Sequence, residues 1–363
     1  MVNDDTRWMK LALGLGARGL GQVRPNPAVG CVIVKNGRLL GRGWTQPSGR
    51  PHAETVALAQ AGEAARGATA YVTLEPCAHH GKTPPCATAL VAAGIARVIC
   101  PLEDPDSRVS GNGFQILRKA GIVVETGAME TAAREAHKGF LFKTSQNRPM
   151  LTLKLATSLD GRIATAKGES RWITGPQARA TVHQMRASHD AVLIGGGTAK
   201  ADDPMLDIRG LGLAGDIPVR IVVDSQLTLS LESRLARSAR DIPLWLCHND
   251  APEEKQAAWK ALGAKLIAVK RGKKGLDMAD LMAKLASEGL TRVLCEGGGQ
   301  LAASLIAANL VDRLEVFHAG LALGASGTPA LAPLPFDSLQ DFPRFKLCEV
   351  RKLGPDTLAS YTP

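Results

Sequence analysis

Two α/β domains are the fold this sequence predicts, the first of them a three-layer sandwich on a largely parallel sheet. Three observations predict it. The chain has 363 residues, more than one ordinary domain needs and a comfortable length for two. Strand-like apolar runs alternate with helical runs of about ten residues, as they do where helices cover a sheet. The alternation is interrupted once by a polar break ending in proline, "SQNRP" at 145–149. The boundary is placed there, dividing residues 1–146 from 147–363.

In the first part, "TRWMKLALGLGARGL" has helical spacing, and "AVGCVIV" and "GRLLGRGW" read as strands around the turn "KNG". The helix "AETVALAQAGEAA" follows, then the strand "ATAYVTL", a Pro/Gly-rich loop and the helix "CATALVAAG". The strand "ARVIC", the helix "GFQILRKAG", the strand "IVVE" and the helical "METAAREAHKGFLFKT" complete it. The second part restarts with the strand "MLTLKLA". "DAVLIGGG", "PVRIVVDS", "IPLWLC", "AKLIAV" and "TRVLCEGGG" read as strands between helices such as "PQARATVHQMRAS" and "QLAASLIAANL". The tail "FKLCEVRKLGPDTLASYT" reads as two closing strands around Gly354 and Pro355. No internal repeat or low-complexity tract is visible.

Composition narrows the function classes. Hydrophobic residues make up 45% and charged residues 21%, a globular balance. No run of eighteen apolar residues exists, so no membrane span is expected. The start "MVNDDTRWMK" lacks the basic and apolar regions of an export signal, and the expected location is cytoplasmic. The net charge of +10 is spread thinly, and its densest cluster, "KRGKKG" at 270–275, has no interleaved aromatics and reads as a solvated loop. Aromatics at 4% argue against a base-stacking surface, so no nucleic-acid partner is expected. A small anionic substrate suits the diffuse positive charge better.

Of seven cysteines, Cys31, Cys100, Cys247 and Cys295 sit in apolar runs and read as small buried strand residues; Cys348 is expected to be similar. Cys77 and Cys86 instead lie in turn-rich sequence. With "RPHAETVALA" they raise a choice between a disulfide, two unrelated turn residues, a closed structural metal site and a catalytic one. A reducing compartment disfavours the disulfide. His52, Cys77 and Cys86 supply three zinc ligands and leave a fourth position open, which is the catalytic arrangement. Water on such a zinc has a pKa drawn towards ~7. Glu54 beside it is the proton carrier, and H-x-E followed by P-C-x(n)-C is the signature of zinc deaminases. Eight residues, "AHHGKTPP", separate the cysteines, whereas nucleoside and nucleic-acid deaminases usually have two. His79 and Lys82 in that insert could receive a phosphate. The lesser alternative for His79 is to stabilise the loop, and His80 reads as solvent-facing.

In the second part "RVLCEGGGQLAASLI" places three glycines between a strand and a helix, where the backbone can approach a phosphate at a helix N-terminus. "VLIGGGT" at 192–198 is a weaker strand-to-glycine turn. Neither matches G-x-G-x-x-G, so a standard Rossmann domain is not expected.

The motifs "RPNPAVGCVIV", "PHAETVAL", "YVTLEPCAHHGKTPPC", "LKLATSLDGRIATAKGESRWITG", "VLIGGGTAKADDPML", "RIVVDS" and "CEGGG", in this order, resemble the bifunctional riboflavin-biosynthesis deaminase/reductases over essentially the whole chain. The resemblance implies an N-terminal cytidine-deaminase-like α/β/α domain and a C-terminal dihydrofolate-reductase-like domain. It implies Zn2+ on His52, Cys77 and Cys86, with Glu54 as the proton shuttle. Asn26 would contact the pyrimidine, and His79 and Lys82 the ribose phosphate; its flanking prolines would also suit Asn26 as a plain turn residue. Members often carry His seven residues before the zinc His, where this chain has Thr45. NADPH would be lined by Ala156, Trp172, Thr198, Asp202, Ser225 and the segment Gly298, Gly299, Gln300, Leu301, Ala302, Ala303 and Ser304. Ser170, Arg186, Leu206, Arg209 and Glu296 would contact substrate, and Lys154 with Asp202 would position its ribose. A buried ion pair would otherwise account for Asp202, and a solvated helix face for Arg186. A homodimer formed through the reductase half is also expected. The competing reading is a nucleobase or nucleic-acid deaminase with an accessory domain.

Overall fold

A computed structural model of the chain describes residues 4–78, 84–106, 110–212, 218–273 and 275–363. It divides into two compact units, Met1–Asn147 and Arg148–Pro363. Among the described residues no helix is long and apolar enough to cross a membrane.

The first unit runs α1 (Asp4–Gly16), β1 (Gly30–Lys35), β2 (Arg38–Trp44), α2 (Ala53–Ala61), β3 (Thr69–Val72), α3 (Cys86–Ala92), β4 (Arg97–Cys100), α4 (Asn112–Lys119), β5 (Val123–Thr126) and α5 (Glu130–Gln146). Its five-stranded sheet has the order β2-β1-β3-β4-β5. Only β3, β4 and β5 are mutually parallel; β1 is antiparallel to both β2 and β3. The largely parallel sheet expected is therefore a mixed one. The cause is local: Asn36 and Gly37 both take positive φ, giving the tight turn of a hairpin, and hairpin strands must run antiparallel.

Strand alternation makes this unit three layers deep. Cys31 and Ile33 of β1 point to the face holding Ala57 of α2, Leu90 of α3 and Leu117 of α4. Val32 and Val34 point the other way, onto Trp8, Met9, Ala12 and Leu15 of α1. A Cβ at Gly41 would lie 2.1 Å from the Ala57 carbonyl oxygen, and one at Gly43 2.3 Å from that of Ala53. Glycine at these two positions lets α2 press directly onto β2, which sets the height at which the start of α2 is held.

The second unit runs β6 (Met150–Thr157), β7 (Arg162–Ala164), α6 (Pro176–Ala187), β8 (Ala191–Gly195), α7 (Gly196–Asp202), β9 (Val219–Val223), α8 (Arg234–Arg237), β10 (Leu244–His248), α9 (Glu253–Ala261) and β11 (Lys265–Ala268). It continues with β12 (Arg271–Gly272), β13 (Gly275–Leu276), α10 (Met278–Ser287), β14 (Arg292–Gly297), α11 (Gly299–Ala307), β15 (Arg313–His318), β16 (Thr328–Pro329), β17 (Lys346–Leu353) and β18 (Asp356–Thr362). The main sheet has nine strands in the order β11-β10-β9-β8-β14-β6-β15-β18-β17. In that order the first seven strands, β11, β10, β9, β8, β14, β6 and β15, are parallel, and β18 and β17 close the edge antiparallel. Leu193 and Ile221 face α10 and α11 through Leu281, Leu285 and Leu305. Val192, Ile194 and Val222 face the opposite layer, with Leu235 of α8 and Trp259 of α9.

Cys31, Cys100, Cys247 and Cys295 are buried, as expected, but Cys348 is exposed. It lies on β17, the edge strand, whose residues 346–352 are all exposed because nothing among the described residues of the unit covers them.

Candidate metal centre and reductase site

His52 immediately precedes α2, Glu54 sits in its first turn, Cys77 follows β3 and Cys86 opens α3. The fold brings His52 Nδ1 and the two sulfurs within 4.8 Å of one another. His52 Nδ1 is 3.6 Å from Cys77 Sγ and 3.3 Å from Cys86 Sγ. Tetrahedral zinc with bonds of about 2.3 Å to sulfur and 2.0–2.1 Å to nitrogen needs S···N edges of about 3.6 Å, so the donor set fits that ion. All seven cysteines are free thiols, so no disulfide joins this pair.

The electrostatics suit thiolate ligation. The Cys86 thiol hydrogen-bonds to Cys77 and, against the cost of burial, pulls the Cys77 pKa down to about 4; His52 and the Cys86 backbone N–H help. That N–H lies 3.3 Å from Cys77 Sγ at the start of α3, a position that favours negative charge. Cys86 moves the opposite way, upwards, through the same contact and through burial. Glu54 is only 3% exposed. Burial first, then the Cys77 charge, raise its pKa to about 7, with His52 opposing. Glu54 is a carboxyl group beside the ligand set rather than part of it.

The hydroxyl of Thr45, a residue buried beside the 27–29 turn, is committed to that turn. It donates to the Pro27 carbonyl at 3.1 Å and accepts from Val29 N at 3.0 Å. Asn26, half-buried in the same segment, lies against Gly49, where a Cβ would come within 1.9 Å of its Nδ2. His79, His80 and Lys82 lie outside the described residues. Glu75, which the sequence reading did not single out, is a buried carboxylate two residues before Cys77.

In the second unit, β8 leads into α7 and the adjacent β14 leads into α11, so two helix starts meet at the carboxyl ends of parallel strands. Ligands of open α/β sheets bind at such ends. Gly298 has φ 85 and ψ 129, and a Cβ there would lie 2.7 Å from Thr198 Oγ1. The backbone is thus bare where α11 begins, which fits a pyrophosphate. Gln300 is exposed, and Ser304 donates to its carbonyl at 2.9 Å. Leu301, Ala302 and Ala303 are buried, and the first two pack into the core. Ala156 lies half-buried on β6, and Trp172 is 69% exposed with the Arg179 guanidinium 4.6 Å from its ring.

Ser225 follows β9, and its carbonyl accepts from Asn249 N at 3.0 Å. The neighbouring Asp224 carboxylate is turned into its own loop, accepting from Thr228 N at 2.6 Å and Leu229 N at 2.8 Å. Arg186 is not on a solvated helix face. Its Nε and Nη2 meet Glu296 at 2.5 and 2.9 Å, and Nη1 donates to the Asp207 carbonyl at 2.7 Å. Burial disfavours the Glu296 charge, but Arg186 outweighs it and the pKa falls. Desolvation lowers the Lys154 pKa, with Glu296 and Asp202 opposing. Asp202 accepts from Ser170 Oγ at 3.2 Å rather than forming the buried ion pair considered for it. Leu206 is buried with φ 55, and Arg209 is exposed beside Asp207 at 3.1 Å.

Residues 149–359 match the family described as the RibD C-terminal domain, and residues 2–102 the cytidine and deoxycytidylate deaminase zinc-binding region. The riboflavin biosynthesis protein RibD of Escherichia coli K12 is 42% identical over 364 residues, covering 97% of each chain. That of Haemophilus influenzae Rd is 40% identical over 373 residues, covering 99% of this chain and 98% of its own. Among solved structures, Acinetobacter baumannii RibD superposes with a TM-score of 0.90 at 38% identity, covering 99% of both chains. A diaminohydroxyphosphoribosylaminopyrimidine deaminase/5-amino-6-(5-phosphoribosylamino)uracil reductase from Thermotoga maritima gives 0.86 at 32%, again over 99% of both. The two halves are therefore a cytidine-deaminase-like zinc-binding domain and a dihydrofolate-reductase-like reductase domain. The chain belongs to the RibD family of bifunctional riboflavin-biosynthesis deaminase/reductases.

Proposed function

We infer that residues 1–146 deaminate a diaminopyrimidine ribosyl phosphate and that residues 147–363 reduce the ribosyl group of the product to ribityl. The observation that carries this reading is the three-donor set of His52, Cys77 and Cys86 with the buried Glu54 beside it. Zinc held there would supply a water acidic enough to attack at neutral pH. Glu54 accepts a proton from the attacking water and returns it to the departing amine, so that a C–O bond replaces a C–N bond and ammonia leaves. Asn26 orients the pyrimidine, and His79 with Lys82 receives the phosphate.

In the second unit NADPH, when bound, would supply the hydride, with a proton taken up from solvent, and the protein contributes placement. The bare backbone at Gly298 and Gly299 and the start of α11 would receive the pyrophosphate, while Ala156, Trp172, Thr198, Asp202 and Ser225 would line the rest of the cofactor. Lys154 and Asp202 hold the ribose, and Ser170, Leu206, Arg209 and the Arg186–Glu296 pair shape the substrate side. The free thiols agree with a cytoplasmic enzyme. The family resemblance supports a homodimer, whose state in solution sedimentation would measure.

The test is made on purified full-length protein. It should carry about one zinc per chain, release ammonia from the diaminopyrimidine substrate and oxidise NADPH once deamination has occurred. Cys86→Ser should lose both metal and ammonia release. Full metal retention with normal deamination in that variant would overturn the assignment.

A further inference from the structure

We propose that Glu75 is a positioning residue for the metal centre: its carboxylate clamps the strand end that delivers Cys77 onto the start of α4. Glu75 is 4% exposed and meets four backbone donors. Oε2 accepts from Asp104 N at 3.1 Å and Gly111 N at 3.0 Å. Oε1 accepts from Gly113 N at 2.8 Å and Phe114 N at 3.2 Å. Gly113 and Phe114 are the second and third residues of α4, so the side chain caps that helix from outside it. Charge-assisted bonds of this kind are the strong ones, and a buried carboxylate with four of them has little freedom to move.

The clamp acts on Cys77 through a short rigid link. Glu75 N is itself bonded to the Leu102 carbonyl at 3.0 Å. Pro76 follows and restricts the backbone between the clamp and the ligand. At Gly113 a Cβ would sit 2.1 Å from the Pro76 carbonyl oxygen, so α4 is seated directly on the residue preceding Cys77. Beyond Pro76, the Cys77 carbonyl accepts from Ala87 N at 3.2 Å, and its sulfur from Cys86 N at 3.3 Å. Cys77 is therefore held from both sides. The start of α3 fixes it downstream, and Glu75 with α4 fixes it upstream. Removing the upstream hold lets Sγ shift relative to His52 Nδ1 and Cys86 Sγ without touching any ligand.

This rests on the zinc reading, and the test separates the two. Glu75→Gln keeps the shape but replaces one acceptor oxygen with an amide that turns its own hydrogens towards backbone N–H groups. The readouts are zinc affinity by chelator competition and the absorption bands of the Co2+-substituted protein, which report thiolate geometry. Expected are a 10- to 100-fold loss of zinc affinity, shifted cobalt bands and unchanged NADPH oxidation with the already deaminated pyrimidine. A purely architectural role would lower the unfolding temperature while leaving affinity and bands as in the unaltered chain, and that result overturns the proposal. Gly113→Ala, which keeps the carboxylate but crowds Pro76, is the second variant should Glu75→Gln not fold, and it should shift the same bands. Unshifted bands in a folded Gly113→Ala would also count against the clamp. Cys86→Ser serves as the control: if it retains metal, the zinc reading fails, whatever Glu75 does.

Discussion

Gly298→Ala should weaken cofactor binding by the reductase while sparing the deaminase, and the size of the effect can be worked from the backbone. At φ 85 and ψ 129 the residue occupies a region essentially closed to side-chain-bearing residues. Holding alanine there costs about 1–3 kcal/mol, and the new Cβ would also press on Thr198 Oγ1 at 2.7 Å. Relaxing that strain rotates the first turn of α11, where the free N–H groups of Gly299, Gln300 and Leu301 are aimed. Each charge-assisted bond lost to a pyrophosphate is worth about 1.5–3 kcal/mol. Loss of one corresponds to about a 10- to 100-fold rise in the KM for NADPH. The assay is steady-state NADPH oxidation with the deaminated pyrimidine, run beside ammonia release from the diamino substrate. The thermal unfolding of the second unit should fall by about 2–12 °C. An unchanged KM in folded Gly298→Ala protein would refute the placement of the pyrophosphate at α11.

Three further outcomes are expected. Glu54→Gln should keep its zinc and fold, lose about 10²–10⁴-fold in ammonia release and still oxidise NADPH with the deaminated substrate; parallel loss of both activities in folded protein would show that the two sites are not separate. NADPH should be preferred to NADH, because the Asp224 carboxylate is occupied by Thr228 N and Leu229 N and is not free to read a 2′-hydroxyl, while the Ser225 hydroxyl could donate to a 2′-phosphate; equal steady-state use of the two cofactors would contradict this. His189, bonded through Nδ1 to the Met185 carbonyl at 2.6 Å and through Nε2 to Thr152 Oγ1 at 3.0 Å, has its pKa lowered to about 3 by burial and then by Arg292. Its stabilisation is complete above the unfolded value of about 6.5 and is lost as pH falls towards 3, amounting to about 2 kcal/mol at pH 5. Melts of the reductase unit at pH 5 and 7.5 should show this loss, and His189→Gln should flatten it; an equal slope in both proteins would rule out His189 as its source.

Much of the fold was legible because its strands are short apolar runs bounded on at least one side by glycine or proline. Such runs read correctly for β1, β8, β9, β10 and β14, and so did the closing pair around Gly354 and Pro355. Strand β15 was not legible. Its sequence "RLEVFH" carries Arg313 and Glu315, and charged residues in a central strand argue against one until their partners are known. In the fold Glu315 is 5% exposed, bonded to Ser360 Oγ at 2.5 Å on the neighbouring β18 and paired with Arg313. That satisfaction comes from a residue 45 positions away, and no local pattern encodes it. Cys348 failed for the opposite reason. Apolar neighbours suggest burial, but exposure depends on whether a strand ends up at the edge of its sheet, which strand order decides.

The two sites differ in legibility for a reason rooted in their chemistry. Metal ligation needs particular side chains, and His52, Cys77 and Cys86 announce themselves because few other residue types can do that work. Hydride transfer asks the protein mainly for placement, and placement is done by backbone and by pairs assembled from distant segments. Arg186 and Glu296 are 110 residues apart, and neither hints at the other in sequence; only the folded chain, which brings the two side chains together from α6 and β14, makes them a bidentate pair. Asp224 shows the same limit. An acid next to Ser225 just after β9 is the residue type that reads a ribose hydroxyl, yet the loop at 228–229 folds back and engages both its oxygens, Oδ2 through Thr228 N and Leu229 N and Oδ1 through the Thr228 hydroxyl. Even in the metal half, the residue type alone does not reveal Glu75. An acid between an apolar strand and Pro-Cys could be a ligand, a base or an exposed turn residue. Only the convergence of four backbone N–H groups, from a loop and a helix start 29 to 39 residues away, separates a brace from a reactant. Side chains that react are thus visible in the chain itself, and those that hold them in place become visible only once the chain has folded.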